Sequence, residues 1–311
     1  MLLSKFVNFL INTKPLYAVM KVLAKRALKS SAEERGVSWD GHAKRLMSDA
    51  ELKQIKDEME NKSMVYPSYY LQPFHAYDEG NLNWLAACEV EPATYAMAIR
   101  TFKSETDLTP MEAQAKLRKN ITSAIKDYFA THSLQSPTNI VDVGCSTGIS
   151  TRWLVNEFPG AKVTATDLSP HFLAVAELEE RRHEREGGTR RVHYMHDKAE
   201  NSVLETSSVD LMSFQFVMHE CPGDAITNLV KESARVVRPG GVLCIVDNNP
   251  QSKTIQNLPP ALFTLMKSTE PWSDEYYAYD IEQCLRDLGF TEVVTVCTDH
   301  RHRAILGIRA Q

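Results

Sequence analysis

Residues Asn139-Ile140-Val141-Asp142-Val143 run directly into Gly144-Cys145-Ser146-Thr147-Gly148 and then Ile149-Ser150-Thr151. An apolar strand, a turn of small residues and a helix start in immediate succession constrain this chain more than any other stretch. At such a turn the backbone can approach a ligand closely, and the first N–H groups of the helix face outward toward it. Strand–turn–helix units are also the repeat from which parallel sheets with crossover helices are built. The dinucleotide fingerprint is G-x-G-x-x-G. The spacing here, Gly144 then Ser146 then Gly148, does not match it and argues against a nicotinamide-dependent oxidoreductase.

The rest of the C-terminal two-thirds extends the same architecture. Apolar runs at Ile140–Val143, Val163–Ala165, Val192–Met195, Val209–Val217 and Val242–Val246 are separated by helix-like stretches, the pattern of a parallel sheet. Thr109-Pro110-Met111-Glu112 has a capping Thr, a first-turn Pro and a Glu that closes a capping box, so a helix is predicted to open there. Thr291–Cys297 and Ala304–Ile308 leave no room for a helix between them, which predicts an antiparallel hairpin at the end of the sheet. Glu177–Arg191 reads as a solvated helix face and its stop.

Two acids fall where a nucleoside would need them. Asp167 ends the second strand, about 20 residues past the glycine turn, placed to accept from two ribose hydroxyls. Asp197 lies just beyond the third strand, where a carboxylate can take an adenine amino hydrogen. With Asp142–Gly148 and Arg238-Pro239-Gly240-Gly241, these residues resemble the class I S-adenosylmethionine-dependent methyltransferases over about Thr109–Arg309. The resemblance implies a Rossmann-like α/β fold: a seven-stranded, mostly parallel sheet with an antiparallel C-terminal hairpin, and the R-P-G-G turn ahead of strand five. It implies S-adenosylmethionine as cofactor, held by Asp142, Gly144, Cys145, Ser146, Gly148, Asp167, Leu168, Asp197, Lys198, Ala199 and Gln215. Ser146 departs from the pattern, since Gly is usual there. Tyr66–Leu85 also looks like a branch of such enzymes from photosynthetic organisms.

Beyond strand four stand His219 and Glu220, at the carboxyl end where open α/β sheets bind their ligands. A His near its ordinary pKa can deprotonate a hydroxyl, phenol or carboxyl-adjacent carbon, with Glu220 orienting the ring or holding a cationic substrate. The competing reading is that His219 caps the next helix or hydrogen-bonds within the loop. His300 and His302 lack a third ligand nearby, so no metal is expected.

Residues 1–108 read as a helical cap on a cofactor domain at 109–311. The cap is interrupted at Tyr66–Asn81, where Pro67 and Pro73 exclude regular helix and four Tyr, one Phe and one His crowd into twelve residues. Such a loop either covers the core or forms a lid. As a lid, Tyr77 would lie over the cofactor's amino-acid end, and Tyr69, Tyr70, His75 and Trp84 would wall the acceptor. Trp272 and Tyr276, in an insertion after strand five, are either core or wall.

The charge of −5 gives no basic field for nucleic acid. Six cysteines with no C-x-x-C pair suit a reduced intracellular setting, taken as cytoplasmic. No acid precedes Glu33, and Lys14, Lys21, Lys25 and Lys29 share one helical face. That segment fits a helix packed on its own domain, an organelle (plastid) address, or peripheral membrane contact. The function expected is methyl transfer to a small-molecule acceptor, with O-methylation favoured over S- or N-methylation and a non-catalytic scaffold as the alternative class. Composition says nothing about oligomeric state.

Overall fold

The computed structural model describes residues 25–26, 28–75, 77–258 and 269–311. The expected basic N-terminal helix therefore lies outside the described residues up to Lys25. Its described end is packed on the protein: Lys25 Nζ and Lys29 Nζ sit 2.8 and 2.5 Å from the Glu89 carboxylate. Among the described residues no helix is long and apolar enough to cross a membrane.

Among the described residues, α1 (Trp39–Met47), α2 (Glu51–Met59), α3 (Trp84–Thr101) and α4 (Pro110–Thr131) precede the sheet. Helix α4 starts where its sequence requires, with the Thr109 side chain accepting from Glu112 N–H and Glu112 reaching back to Thr109 N–H. The sheet then alternates with α5 (Ile149–Glu157), α6 (Pro170–Arg185), α7 (Gly223–Val236), α8 (Ser273–Ala278) and α9 (Ile281–Asp287). Its strands are β1 (Asn139–Val143), β2 (Lys162–Asp167), β3 (Val192–His196), β4 (Val209–Gln215), β5 (Val237–Asn248), β6 (Phe290–Cys297) and β7 (His302–Arg309). Their spatial order is β3-β2-β1-β4-β5-β7-β6. Strands β1 to β5 pair in parallel, and β7 runs antiparallel to both β5 and β6. This is the expected mixed sheet with its terminal hairpin.

The order reverses between β1 and β4, so their connections leave on opposite faces and open a crevice at their carboxyl ends. Both faces are covered. Ile140, Leu211, Val242 and Leu306 point into one buried cluster with Leu117 and Ile121 of α4, whereas Val141, Met212, Leu243 and Ile305 point into another with Ile226 and Leu229 of α7. That alternation is the period of two of a pleated strand, buried on each side as parallel sheets require. Trp39, Ala96 and Ile99 share the first cluster with the sheet, so the N-terminal helices and the sheet have one continuous core.

Two expectations are corrected. Arg238-Pro239-Gly240-Gly241 lies inside β5 rather than ahead of it, where the β4–β5 register shifts between Val209 and Leu211 and Gly240 takes φ +78°. Five residues of β5 there span two of β4, and the three extra residues need a backbone that tolerates positive φ. The charged run on α6 is not a solvated face: Glu177 and Glu180 are 5% and 1% exposed. Their carboxylates bind Arg181, Arg190 and Arg191, while Arg181, Arg182 and Arg185 reach Glu58, Asp49 and Glu51 and tie the cap down.

Candidate active site

The glycine turn is held in a cradle by its neighbours. Gly144 and Cys145 N–H both donate to Thr166 O, at 2.8 and 3.0 Å. Gly144, Ser146 and Gly148 have φ of +66°, +53° and +75°, which favours glycine at each position. A Cβ on Gly144 would lie 2.6 Å from Val217 Cγ2. Asp142 stands behind the turn, fully buried, and accepts from Ser150 Oγ and Thr151 Oγ1 at 2.7 Å each. It fastens the helix start to β1.

Asp167 Oδ2 accepts from Ser146 N–H at 2.8 Å and Oδ1 from Ser169 N–H at 2.7 Å. Each oxygen keeps a lone pair for a ligand. Asp197 accepts from Lys198 and Val203 N–H, at 2.9 and 3.1 Å. Burial raises all three acids, Asp142 to about 6 and Asp167 to about 7, the latter helped by Glu220 and Asp142. A group of desolvated carboxylates of this kind suits a ligand that brings positive charge and hydroxyl donors.

These groups face a cavity of about 780 Å³, a typical ligand-site volume. Of the residues singled out in the sequence, Gly144, Cys145, Ser146, Asp167, Leu168, Asp197, Ala199, Gln215, Tyr69, Tyr70, His75, Tyr77, His219 and Glu220 line it. Two others serve it from behind: Asp142, and Gly148, whose Cβ would overlap the Tyr194 hydroxyl. The remaining four are placed elsewhere. The Trp84 ring packs edge-on against His171 of α6, and Lys198 contributes its backbone N–H to Asp197. Trp272 is the N-cap of α8. Tyr276 is fully buried with its hydroxyl on Asn248 O, where burial holds its phenol protonated. Core packing accounts for Tyr276, although its ring edges onto His219 at 6.4 Å.

After β4 the chain turns through Phe216 at φ +65° into a short 3-10 turn, Met218–Glu220. Both oxygens of Asp247, the acid near the end of β5, hold His219: one takes its backbone N–H at 3.1 Å, the other lies 2.9 Å from Nδ1. Burial opposes charge on the ring, but Asp247 outweighs it, with Glu270 and Glu220 adding, and the pKa rises to about 10. His219 therefore carries its proton at neutral pH. Burial raises Glu220 against the pull of His75 and His219, and its carboxylate accepts from Asn81 Nδ2 at 2.9 Å. Since Ser169 Oγ donates to Asn81 O at 2.7 Å, Asn81 ties the cap loop to both acid-bearing elements.

The aromatic loop closes over this site. Tyr69 donates to Glu200 and Tyr77 to Glu89, both at 2.5 Å. The His75 N–H donates to Thr269 O at 2.9 Å, and its ring lies 3.6 Å from Glu270. Ligand atoms of His75, His219 and Glu270 come within 4.8 Å of one another, a cluster that no spacing in the sequence reveals. His302, by contrast, is buried against Asp299 at 2.8 Å and meets the Phe216 ring edge-on, so it braces the hairpin turn.

Several lining residues carried no sequence signal. Arg118 is buried on α4 with Nη1 2.7 Å from Gln215 Oε1, in a helix whose pattern shows only an apolar face. Glu89, Arg100, Asn81, Glu200, Glu270 and Arg301 also line the cavity. Asp247 alone was inferable, as an acid ending a strand at the ligand-binding edge.

The S-adenosylmethionine expected from the sequence fits this lining. Thr147 Oγ1 and Glu200 Oε2 border the cavity buried and without a hydrogen-bond partner among the described residues. Groups left so are costly unless a ligand satisfies them.

Residues 140–241 match the family described as Methyltransferase domain. Among curated relatives, the chain is 24% identical over 201 residues to the malonyl-[acyl-carrier protein] O-methyltransferase of Serratia marcescens, covering 64% of this chain and 66% of that one. It is 33% identical to the trans-aconitate 2-methyltransferase of an Azoarcus species over 124 residues, 40% of this chain and 44% of that one. The chain thus spans about two-thirds or less of these relatives' length. Phosphoethanolamine N-methyltransferase 2 of Haemonchus contortus, solved with S-adenosyl-L-methionine, superposes with a TM-score of 0.50 at 17% identity. That match covers 80% of this chain and 61% of the other, and it shows a shared fold.

Proposed function

We propose that this chain, whose residues 140–241 match a methyltransferase domain, is a class I S-adenosylmethionine-dependent methyltransferase that methylates an oxygen of a small-molecule acceptor held beneath the aromatic loop. One observation carries the reading. A single cavity has the Gly144–Thr147 turn, Asp167 and Asp197 at one end and His219, locked by Asp247, at the other.

Bound there, S-adenosylmethionine supplies a methyl group made electrophilic by its sulfonium. Ser146 and Thr147 would line its methionine end, Asp167 would accept from the ribose hydroxyls, and Asp197 would accept from the adenine amino group. His219 has its Nδ1 engaged by Asp247, leaving Nε2 to meet an acceptor. A His near its ordinary pKa would act as a base; at about 10 the ring is instead a proton-bearing cation. It can donate to an oxygen and stabilise negative charge there. An oxyanion acceptor needs no base, whereas an amine arriving as a cation would meet an imidazolium. The names of the Serratia and Azoarcus relatives, a malonyl O-methyltransferase and a trans-aconitate methyltransferase, fit acceptors with carboxyl oxygens.

The test is S-adenosylhomocysteine release with the purified protein across small carboxylates, phenols, amines and thioethers. Turnover with acids or hydroxyls is expected. Cofactor binding without turnover on any of them would leave a scaffold role, and turnover confined to amines or thioethers would end the oxygen reading.

A further inference from the structure

Two arginines in the cavity have no use in the scheme above. Arg100, near the end of α3, and Arg301, in the turn between β6 and β7, both line it. The contact of Phe102 with His300, 6.4 Å between ring centroids, brings those two segments together. Arg100 is accessible to solvent and has no hydrogen-bond or ion-pair partner among the described residues. Burial and then the charge of Arg301 lower its pKa, so the two guanidiniums repel each other. Among the described residues the Arg301 side chain hydrogen-bonds to Asn248 Oδ1 alone, at 3.4 Å through Nε. Asn248 directly follows Asp247, which places this pair beside the His219 end of the cavity.

No acid nearby is free to serve them. Asp247 is taken by His219, Asp299 by His302 and by the Arg301 and His302 backbone N–H groups, Glu270 by His75 and Ser273, and Glu220 by Asn81. The segments outside the described residues supply none either, since positions 1–24, 27, 76 and 259–268 contain no Asp or Glu. Two adjacent cations facing a cavity without a counter-ion are a binding site for an anion, and the planar guanidinium fork matches carboxylate and phosphate oxygens.

We propose that Arg100 and Arg301 form an anion subsite that anchors an acceptor bearing a carboxylate or a phosphate group, so that acceptor choice is set by this pair. The proposal rests on the methyltransferase reading for its role, but the subsite itself does not.

The test is calorimetric titration of malonate, inorganic phosphate and the neutral control malonamide, each with and without saturating S-adenosylhomocysteine. It is run on the wild type, R100Q, R301Q, the double variant, and R301K as the charge-preserving variant. Circular dichroism confirms that each variant is folded. Binding of malonate or phosphate but not malonamide is expected, weakened roughly 10- to 100-fold in the double variant and partly restored in R301K. S-adenosylhomocysteine affinity should stay within about twofold. Preference for malonate or phosphate identifies the anion class. No binding of either anion to the wild type, or equal binding in the double variant, overturns the subsite. Failure of S-adenosylhomocysteine alone, with anion binding intact, overturns the cofactor reading and leaves the subsite standing.

Discussion

Asp167 offers the sharpest test of the cofactor end. Its carboxylate is 7% exposed, and burial, with Glu220 and Asp142 adding, raises its pKa to about 7. Only the ionised form can accept from both ribose hydroxyls while keeping the Ser146 and Ser169 N–H bonds. Below pH 7 the ligand must first displace a proton, so the apparent dissociation constant scales as one plus the protonated-to-ionised ratio. Between pH 8 and pH 6 that factor goes from about 1.1 to about 11, a loss of roughly tenfold in S-adenosylmethionine affinity. Asp142, raised to about 6, adds at most about twofold over the same range, and His219 stays protonated throughout. Calorimetric titration at several pH values measures this directly. Asp167→Asn should bind more weakly at every pH, by roughly 10- to 100-fold for charge-assisted hydrogen bonds lost, and should lose most of the slope. A pH-independent affinity in the wild type, or a tenfold slope that survives in D167N, would refute the argument.

Four further outcomes are expected. H219A should raise the KM for an anionic acceptor by about 10- to 100-fold with S-adenosylmethionine affinity nearly unchanged; D247N should let the His219 pKa fall from about 10 toward its ordinary value, so that a kcat/KM profile level to pH 9 now declines above about pH 7. G148A forces a Cβ into the Tyr194 hydroxyl at φ +75° and should cost about 2–4 kcal/mol in urea denaturation, while S146G relieves a left-handed Ser and should gain up to about 1 kcal/mol. E89A removes the 1%-exposed partner of Lys25, Lys29 and Tyr77 and should destabilise by about 2–4 kcal/mol. Glu89 is desolvated, yet those partners hold it near 2 against an ordinary 4.5, so its stabilisation is present above pH 4.5 and lost as pH falls toward 2; E89Q should abolish that component of acid denaturation. Dialysis against EDTA should leave turnover unchanged, because His219 is committed to Asp247 as a cation; loss restored by a divalent metal would assign His75, His219 and Glu270 to an ion instead.

What was legible in the sequence was local. The turn at Gly144–Gly148, the Thr109 cap and the strand runs are set by conformational needs that a few adjacent residues meet, so they can be read one segment at a time. Asp167 and Asp197 were legible because a parallel strand's carboxyl end faces the crevice wherever the strand sits in the sheet. Glu180 was misread because charge alone does not reveal that Arg191, eleven residues on, returns to it. Trp84 resisted for a related reason: beside an aromatic loop it has the composition of a wall, but the Asn83 cap starts α3 at that residue and turns the indole onto His171. Glu89 and Arg100 of α3, Arg118 of α4 and Glu270 just before α8 lie on separate segments, and only the packing of those helices on the sheet brings them to one cavity.

The charges sort along that cavity in a way that bears on the chemistry. Asp142, Asp167 and Asp197 gather beneath the glycine turn, each raised by burial, with Arg118 beside Asp142, whereas protonated His219, Arg100 and Arg301 lie toward the other end together with Glu220 and Glu270. Burial puts a desolvation cost on the three Asp and on His219, whose charge Asp247 offsets, while Arg100 stays open to solvent. A cationic methyl donor and an anionic acceptor relieve the two ends separately, and transfer between them cancels both charges. A transition state in which opposite charges merge is disfavoured by water and favoured by a cavity of low polarity at its centre. Phe216 and Val217 occupy the lining between the turn and His219. The arrangement therefore demands opposite salt responses. Binding of an anionic acceptor should weaken with ionic strength through the Arg100–Arg301 pair, while kcat, set where ions do not reach, should not. A kcat that falls in parallel with acceptor affinity would mean that the reacting atoms meet in solvent, and that the aromatic loop does not close over them.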